Sequence, residues 1–111
     1  MISRQAVKKN MVDMLARLEA EGTGWRIVGD INFASVPVLL LQSRNLLEYG
    51  GDLDIDMGEV DHADSAGLAL MLEWIDMSRS SGGTILFRNI PDALMNIARV
   101  SNVSDLISPK G

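Results

Sequence analysis

Between residues 53 and 57 the chain alternates strictly: Leu53, Ile55 and Met57 are apolar, Asp54 and Asp56 acidic. A period of two predicts a strand with one buried and one solvated face. Trp25-Arg26-Ile27-Val28 is also alternating and rich in strand formers, and Thr84 to Phe87 reads as a further strand. Elsewhere the period lengthens. Leu68, Met71, Leu72 and Ile75 share one helical stripe, which Gly82-Gly83 ends. Ser35 ahead of Val36-Pro37 predicts a helix start, with a capping hydroxyl and a proline in the first turn. That helix is expected to run to about Glu48 and stop at Tyr49-Gly50-Gly51. Asn89-Ile90-Pro91-Asp92 opens another helix, with Leu94, Ile97 and Ala98 apolar, and a short last turn covers Ser104 to Ile107.

The stretch from Met11 to Ala20 carries two patterns at once. Val7, Met11, Leu15 and Leu18 fit a helical stripe, while Met14, Ala16 and Leu18 fit one face of a strand. Glu21-Gly22-Thr23-Gly24 is a turn signal, and a hairpin about Gly22 reconciles the two without being forced by period alone. The predicted order is β-β-α-β-α-β-α-α. It is an α/β fold, a mixed β-sheet with helices mainly on one face.

Composition narrows the function classes. A chain of 111 residues, 47% hydrophobic and 23% charged, is one globular domain. It has no cysteine, so disulfides and thiolate metal sites are excluded. Its apolar runs, Val36 to Leu41 and Ala66 to Leu72, fall far short of the roughly 20 residues a spanning helix needs. No apolar core of a signal peptide follows the basic start. Residues 1–26 hold five basic and three acidic side chains; residues 27–111 hold five basic and twelve acidic, so the body carries −7. Such a surface repels phosphate backbones, and five aromatic residues do not furnish a base-stacking platform, so nucleic acid is not an expected partner. Lys8 and Lys9 alone hold anionic lipid weakly.

The chemistry concentrates in Val60-Asp61-His62-Ala63-Asp64-Ser65-Ala66-Gly67-Leu68. Asp64 is placed to cap the first turn of a helix, Ser65 stands at the positive end of the helix dipole, and Gly67 leaves room for another backbone. A phosphate on Ser65 is expected to be held by free first-turn amides. Asp64-Ser65-Ala66-Gly67-Leu68 resembles the Asp-Ser-Ser-Gly-Leu hallmark of the STAS domain family, whose members include bacterial anti-sigma-factor antagonists. Gly29-Asp30-Ile31-Asn32 is similar to that family's Gly-Glu-Leu-Asp, and Gly82-Gly83 before a strand also matches. The resemblance covers roughly residues 14 to 107 and favours strand over helix at 14–29. It divides the chain into an N-terminal extension, 1–12, and a STAS domain, 13–111. Within the family, Gly67 to Asp76 and Ile97 to Val103 are similar to the small STAS subunit of Mla phospholipid-transport systems.

That resemblance implies a non-catalytic, cytoplasmic subunit, peripheral at the inner membrane. It implies that the subunit binds the ATPase of an ABC transporter and, through it, an inner-membrane permease. The contact is expected from Asp64, Ser65, Ala66, Gly67, Leu68 and the exposed side of residues 69–77. The alternative is an anti-sigma-factor antagonist switched by phosphorylation of Ser65. Two departures bear on it: Asn32 stands for the family's Asp, and Ala66 for its second Ser. Trp74 and Met77 fall beside the core stripe and read equally as interface anchor or core edge. His62 is the sole histidine; with Asp61 it could serve Ser65 as a base, but no Gly-x-Ser-x-Gly surrounds Ser65, and a contact-face histidine is expected. The acidic run from Asp52 lacks the glycine and glutamate of an EF-hand, with Met57 and Ala63 at those positions, so no metal is expected. No phosphate-cradling motif follows the glycine pairs, and no cofactor is expected.

Overall fold

A computed structural model describes residues 16–48 and 51–108. In chain order the elements are β1 (Arg17–Glu21), β2 (Gly24–Ile31), α1 (Val36–Glu48), β3 (Asp52–Ala63), α2 (Ser65–Ser80), β4 (Thr84–Arg88), α3 (Asp92–Val100) and α4 (Ser104–Ile107). The order is the predicted one. The expected helical or strand character of residues 11–15, the 1–12 extension and the stop at Tyr49-Gly50 lie outside the described residues.

The four strands form one mixed sheet in the order β1-β2-β3-β4. The β1-β2 hairpin is antiparallel, with Leu18 opposite Ile27 and Glu21 opposite Gly24. A helix separates each later strand from the one before it, so β3 lies parallel to β2 and β4 parallel to β3. Strand β3 is the longest. Only Asp52 to Asp56 pair with β4, while Trp25 to Ile31 accompany β3 as far as Ala63, with two register irregularities. The second half of β3 therefore projects past β4 and carries its last residues directly to the start of α2.

Alternation divides the sheet into two faces. Ile27, Ile31, Ile55, Met57 and Phe87 point into the core, where Leu39, Leu47, Leu70, Met71, Trp74 and Leu94 meet them from the helices. Trp74 has no exposed surface, so the reading of it as an interface anchor is corrected: it is core. Its ring stacks on Phe87 with centroids 6.3 Å apart, and its Nε1–H donates to Ser43 Oγ at 2.7 Å. The Ser43 hydroxyl donates in turn to Leu40 O at 3.0 Å, so a buried polar pair from two helices is fully satisfied. Gly83 meets Gly51 backbone to backbone where β4 begins; a Cβ there would overlap the Gly51 carbonyl.

The opposite face is charged. Glu19 Oε1 accepts from Arg26 at 2.9 Å, and its other oxygen accepts from Arg17 at 2.8 Å. Arg88 Nε donates to Asp54 at 2.6 Å, and Arg88 lies 3.8 Å from Glu21. Asp56 accepts from the Asn89 side-chain amide at 2.9 Å and from the Gly58 N–H at 2.8 Å. These bonds favour the ionised carboxylates. The Arg26 hydrogen bond, then that from Arg17, holds Glu19 below its ordinary pKa; the Asn89 amide, then the Gly58 N–H, lowers Asp56. Carboxylates with lowered folded pKa stabilise the fold above their unfolded pKa values, and that contribution disappears as pH falls through the folded values. Thermal melts between about pH 6 and about pH 3 should show the midpoint falling most steeply below about pH 4. Because the pairs are half-exposed, added salt should reduce the difference. A midpoint that does not change across that range would overturn this account.

Candidate functional site

The site is built where β2 and β3 end together. Ile31 pairs with Ala63, and the Asp64 N–H donates to Ile31 O at 3.3 Å. One residue, Asp64, separates β3 from α2. Its extended backbone (φ −120°, ψ −166°) lets the carboxylate turn back and accept from the Ala66 N–H at 2.9 Å. That is the predicted N-cap. The Gly67 N–H donates to Asp64 O at 2.9 Å.

This geometry limits the first-turn amides available to a phosphate on Ser65. The Ala66 and Gly67 amides are already spent on Asp64. A phosphate on Ser65 would also lie beside the Asp64 carboxylate, a like-charge neighbour.

The contact set expected from sequence divides in two. Asp64 and Ser65 are exposed, whereas Ala66, Gly67 and Leu68 are buried. Gly67 does not open toward a partner backbone. A Cβ there would stand 3.2 Å from Ile31 Cγ2 and 3.2 Å from Leu94 Cδ2, so its missing side chain lets α2 pack onto β2 and α3. The outer face of α2 instead shows Ser65, Ala69, Glu73 and Asp76, with Leu72 half-buried.

Across from Asp64, the turn after β2 is held by Asn32. Its Oδ1 accepts from the N–H groups of Ala34 at 2.9 Å and Ser35 at 3.1 Å. The Ser35 hydroxyl is buried and accepts from the Asn32 N–H at 2.9 Å. Ser35 therefore closes the turn rather than capping α1 as expected. Either Asp or Asn supplies the acceptor this turn needs, so Asn32 costs the loop a charge and not its shape. His62 is exposed, with Nδ1 3.3 Å from Asp30 Oδ1. Among the described residues no hydrogen bond joins His62 to Ser65. Asp30, Asn32, His62 and Asp64 line a shallow cleft beside the helix start.

A family profile described as "Mlab, STAS domain" matches residues 12–108. The chain belongs to the STAS domain family. The junction of β3 with α2, carrying Asp64 and Ser65, is this STAS domain's hallmark segment in place. Over 81 residues, 73% of this chain and 74% of the relative, it is 31% identical to an anti-sigma-B factor antagonist of Bacillus subtilis. Over 56 residues it is 29% identical to the intermembrane phospholipid transport system binding protein MlaB of Escherichia coli, and equally to that of Shigella flexneri. That match spans half of this chain and 58% of the MlaB proteins.

The acidic run that begins this STAS domain's β3 is engaged within the sheet. Asp52 accepts from Thr84 at 2.6 Å, Asp54 from Arg88, and Asp56 from Asn89 and Gly58. No helix among the described residues is long and apolar enough to cross a membrane. Sequence reasoning missed one surface feature: Phe33, Val38 and Leu41 are exposed. The signal was present, since Phe33, Pro37 and Leu41 recur every fourth residue.

Proposed function

We propose that this STAS domain is a non-catalytic subunit that binds the ATPase of a phospholipid-transport ABC complex. It docks through Asp64, Ser65 and the outer face of α2, and reaches the inner-membrane permease only through the ATPase. The observation that carries this reading is the match of residues 12–108 to the profile described as Mlab. The geometry agrees with a contact role: Ser65 is exposed at a capped helix start, and His62 pairs with Asp30 instead of activating Ser65. No reaction is assigned to the site, and its work is recognition.

Ser65→Glu tests the docking face. A carboxylate in the first turn complements the helix dipole, so the fold should be unharmed. Against a partner, its longer side chain must be fitted where a serine hydroxyl made the contact, so the cost is steric. The expected result is at least a tenfold loss of affinity for the purified ATPase of the Mla-type transporter of the same organism, with an unchanged melting temperature. Equal binding by Ser65→Glu and wild type would remove Ser65 from the contact.

A second reading is favoured by the 31% identity to the anti-sigma-B factor antagonist. There Ser65 is a phosphorylation site, and modification releases a kinase-like anti-sigma factor. Pull-down from the native membrane fraction, with mass spectrometry of partners and of Ser65, separates the two. An ABC ATPase with unmodified Ser65 supports transport. A kinase-like partner or phosphate on Ser65 supports the switch.

A further inference from the structure

Charge is distributed differently on the two sides of this molecule. On the open sheet face, five carboxylates, Glu19 and Glu21 of β1 and Asp54, Asp56 and Glu59 of β3, are gathered onto Arg26 and Arg88. On the helical side, Asp64, Glu73 and Asp76 are exposed, and none lies in an ion pair with a described cation.

Helix α1, which packs against α2, and the turn before it carry an apolar ridge. Phe33 is 79% exposed, Leu41 70% and Val38 39%, and exposed Pro37 fills the step between Phe33 and Leu41. A spacing of four residues aligns them along one side of α1 and the turn that precedes it. The ridge starts beside the helix start of α2, because Phe33 follows the Ile31-Asn32 segment whose carbonyl holds Asp64. Helices α1 and α2 pack against each other, and both follow strands that run parallel, so both start at the same end of the sheet. The ridge and the outer face of α2 therefore run in the same direction from that end. Large apolar side chains placed contiguously on a surface mark a contact area.

We propose that Phe33, Pro37, Val38 and Leu41 are the apolar half of the docking surface, and that its occupant is an amphipathic, basic helix of the partner ATPase. The inference rests on the ATPase reading above and adds the chemistry of the segment recognised. An apolar stripe on that helix lies along the ridge, and flanking Lys or Arg meet Asp64, Glu73 and Asp76. Arg44 at the far end of the ridge and Arg79 in the last turn of α2 are opposing charges, and the carboxylates outnumber them. The same charges disfavour the other occupants. Two copies related by a two-fold axis would set the carboxylates against each other, and an anionic bilayer would be repelled.

The test measures binding of full-length protein to the purified ATPase of the same organism's Mla-type transporter. Wild type is compared with Phe33→Ser, Leu41→Ser and their combination, with Leu86→Ser on the sheet face as control. All replace exposed side chains, and circular dichroism confirms folding. The double variant should bind at least tenfold more weakly, Leu86→Ser should bind as wild type, and raising salt from about 50 mM to about 500 mM should weaken wild type. Wild-type binding that survives both ridge substitutions, or ignores salt, overturns the ridge proposal and leaves the ATPase reading standing. Absence of wild-type binding overturns the ATPase reading, and the proposed occupant with it. A dimer in light scattering, or co-sedimentation with phosphatidylglycerol vesicles, that the double variant abolishes would make a second copy or a membrane the occupant instead.

Discussion

Trp74→Ala should lower the unfolding free energy by about 4 kcal/mol, as for other large buried aromatic residues. Three losses combine. The indole's burial is forfeited, a cavity opens under α2, and the stack on Phe87 disappears. Small domains have about 5–15 kcal/mol in total, so the variant should lie near its unfolding threshold at ambient temperature. Urea unfolding followed by circular dichroism gives the number. Trp74→Phe keeps an aromatic ring but deletes the N–H that donates to Ser43, and about 2 kcal/mol should go. That milder variant also decides between the two roles first open to Trp74. As core, it should leave partner affinity per folded molecule unchanged; as anchor, it should weaken binding without weakening the fold. A loss below about 1 kcal/mol for Trp74→Ala would contradict the packing described here.

Gly67→Arg should cost about 4 kcal/mol or more and act on folding, not on recognition. Its side chain would start between Ile31 and Leu94, with no water to receive the guanidinium. Gly67→Ala is the discriminating control. Its Cβ would press on a methyl group of Ile31 and one of Leu94, which can yield by a few tenths of an ångström. The gain in helix propensity, up to about 1 kcal/mol, offsets that pressure. Near-wild-type stability for Gly67→Ala with unfolding of Gly67→Arg is the expected pair of melts. A Gly67→Arg protein that melts like wild type yet fails to bind its partner would return Gly67 to the docking surface.

Both predictions concern residues that the structure points inward, where the sequence left Trp74 open between anchor and core edge and placed Gly67 at the contact. For Trp74 a signal was available. Leu70, Trp74 and Ser78 are spaced at four and are all buried, a second stripe beside the one through Leu68, Met71 and Ile75. Two adjacent stripes on one helix mean a broad buried face, as befits a helix with a sheet beneath it and helices on its flanks. Gly67 offered no comparable signal, because a glycine without a side chain has no periodicity of its own. Its role depends on how near Ile31 and Leu94 come, and they lie 36 residues before it and 27 after it in the chain.

The elements and their order follow from the chain itself. Alternation at 53–57, the stripe at 68–75 and glycines at the turns are local features, and local hydrogen bonding and burial respond to them directly. The cap at Asp64 is of the same kind, since its carboxylate reaches only to the next turn. Tertiary structure decided what distance along the chain hides. Register brought Arg26 opposite Glu19 and Arg88 opposite Asp56 and within reach of Asp54, and left Asp64 without a cation among the described residues. Helix packing buried Trp74 with Ser43 and left Phe33 and Leu41 in water. The physical reason is that periodicity assigns a residue to a face, whereas its partners depend on which faces meet and at what offset.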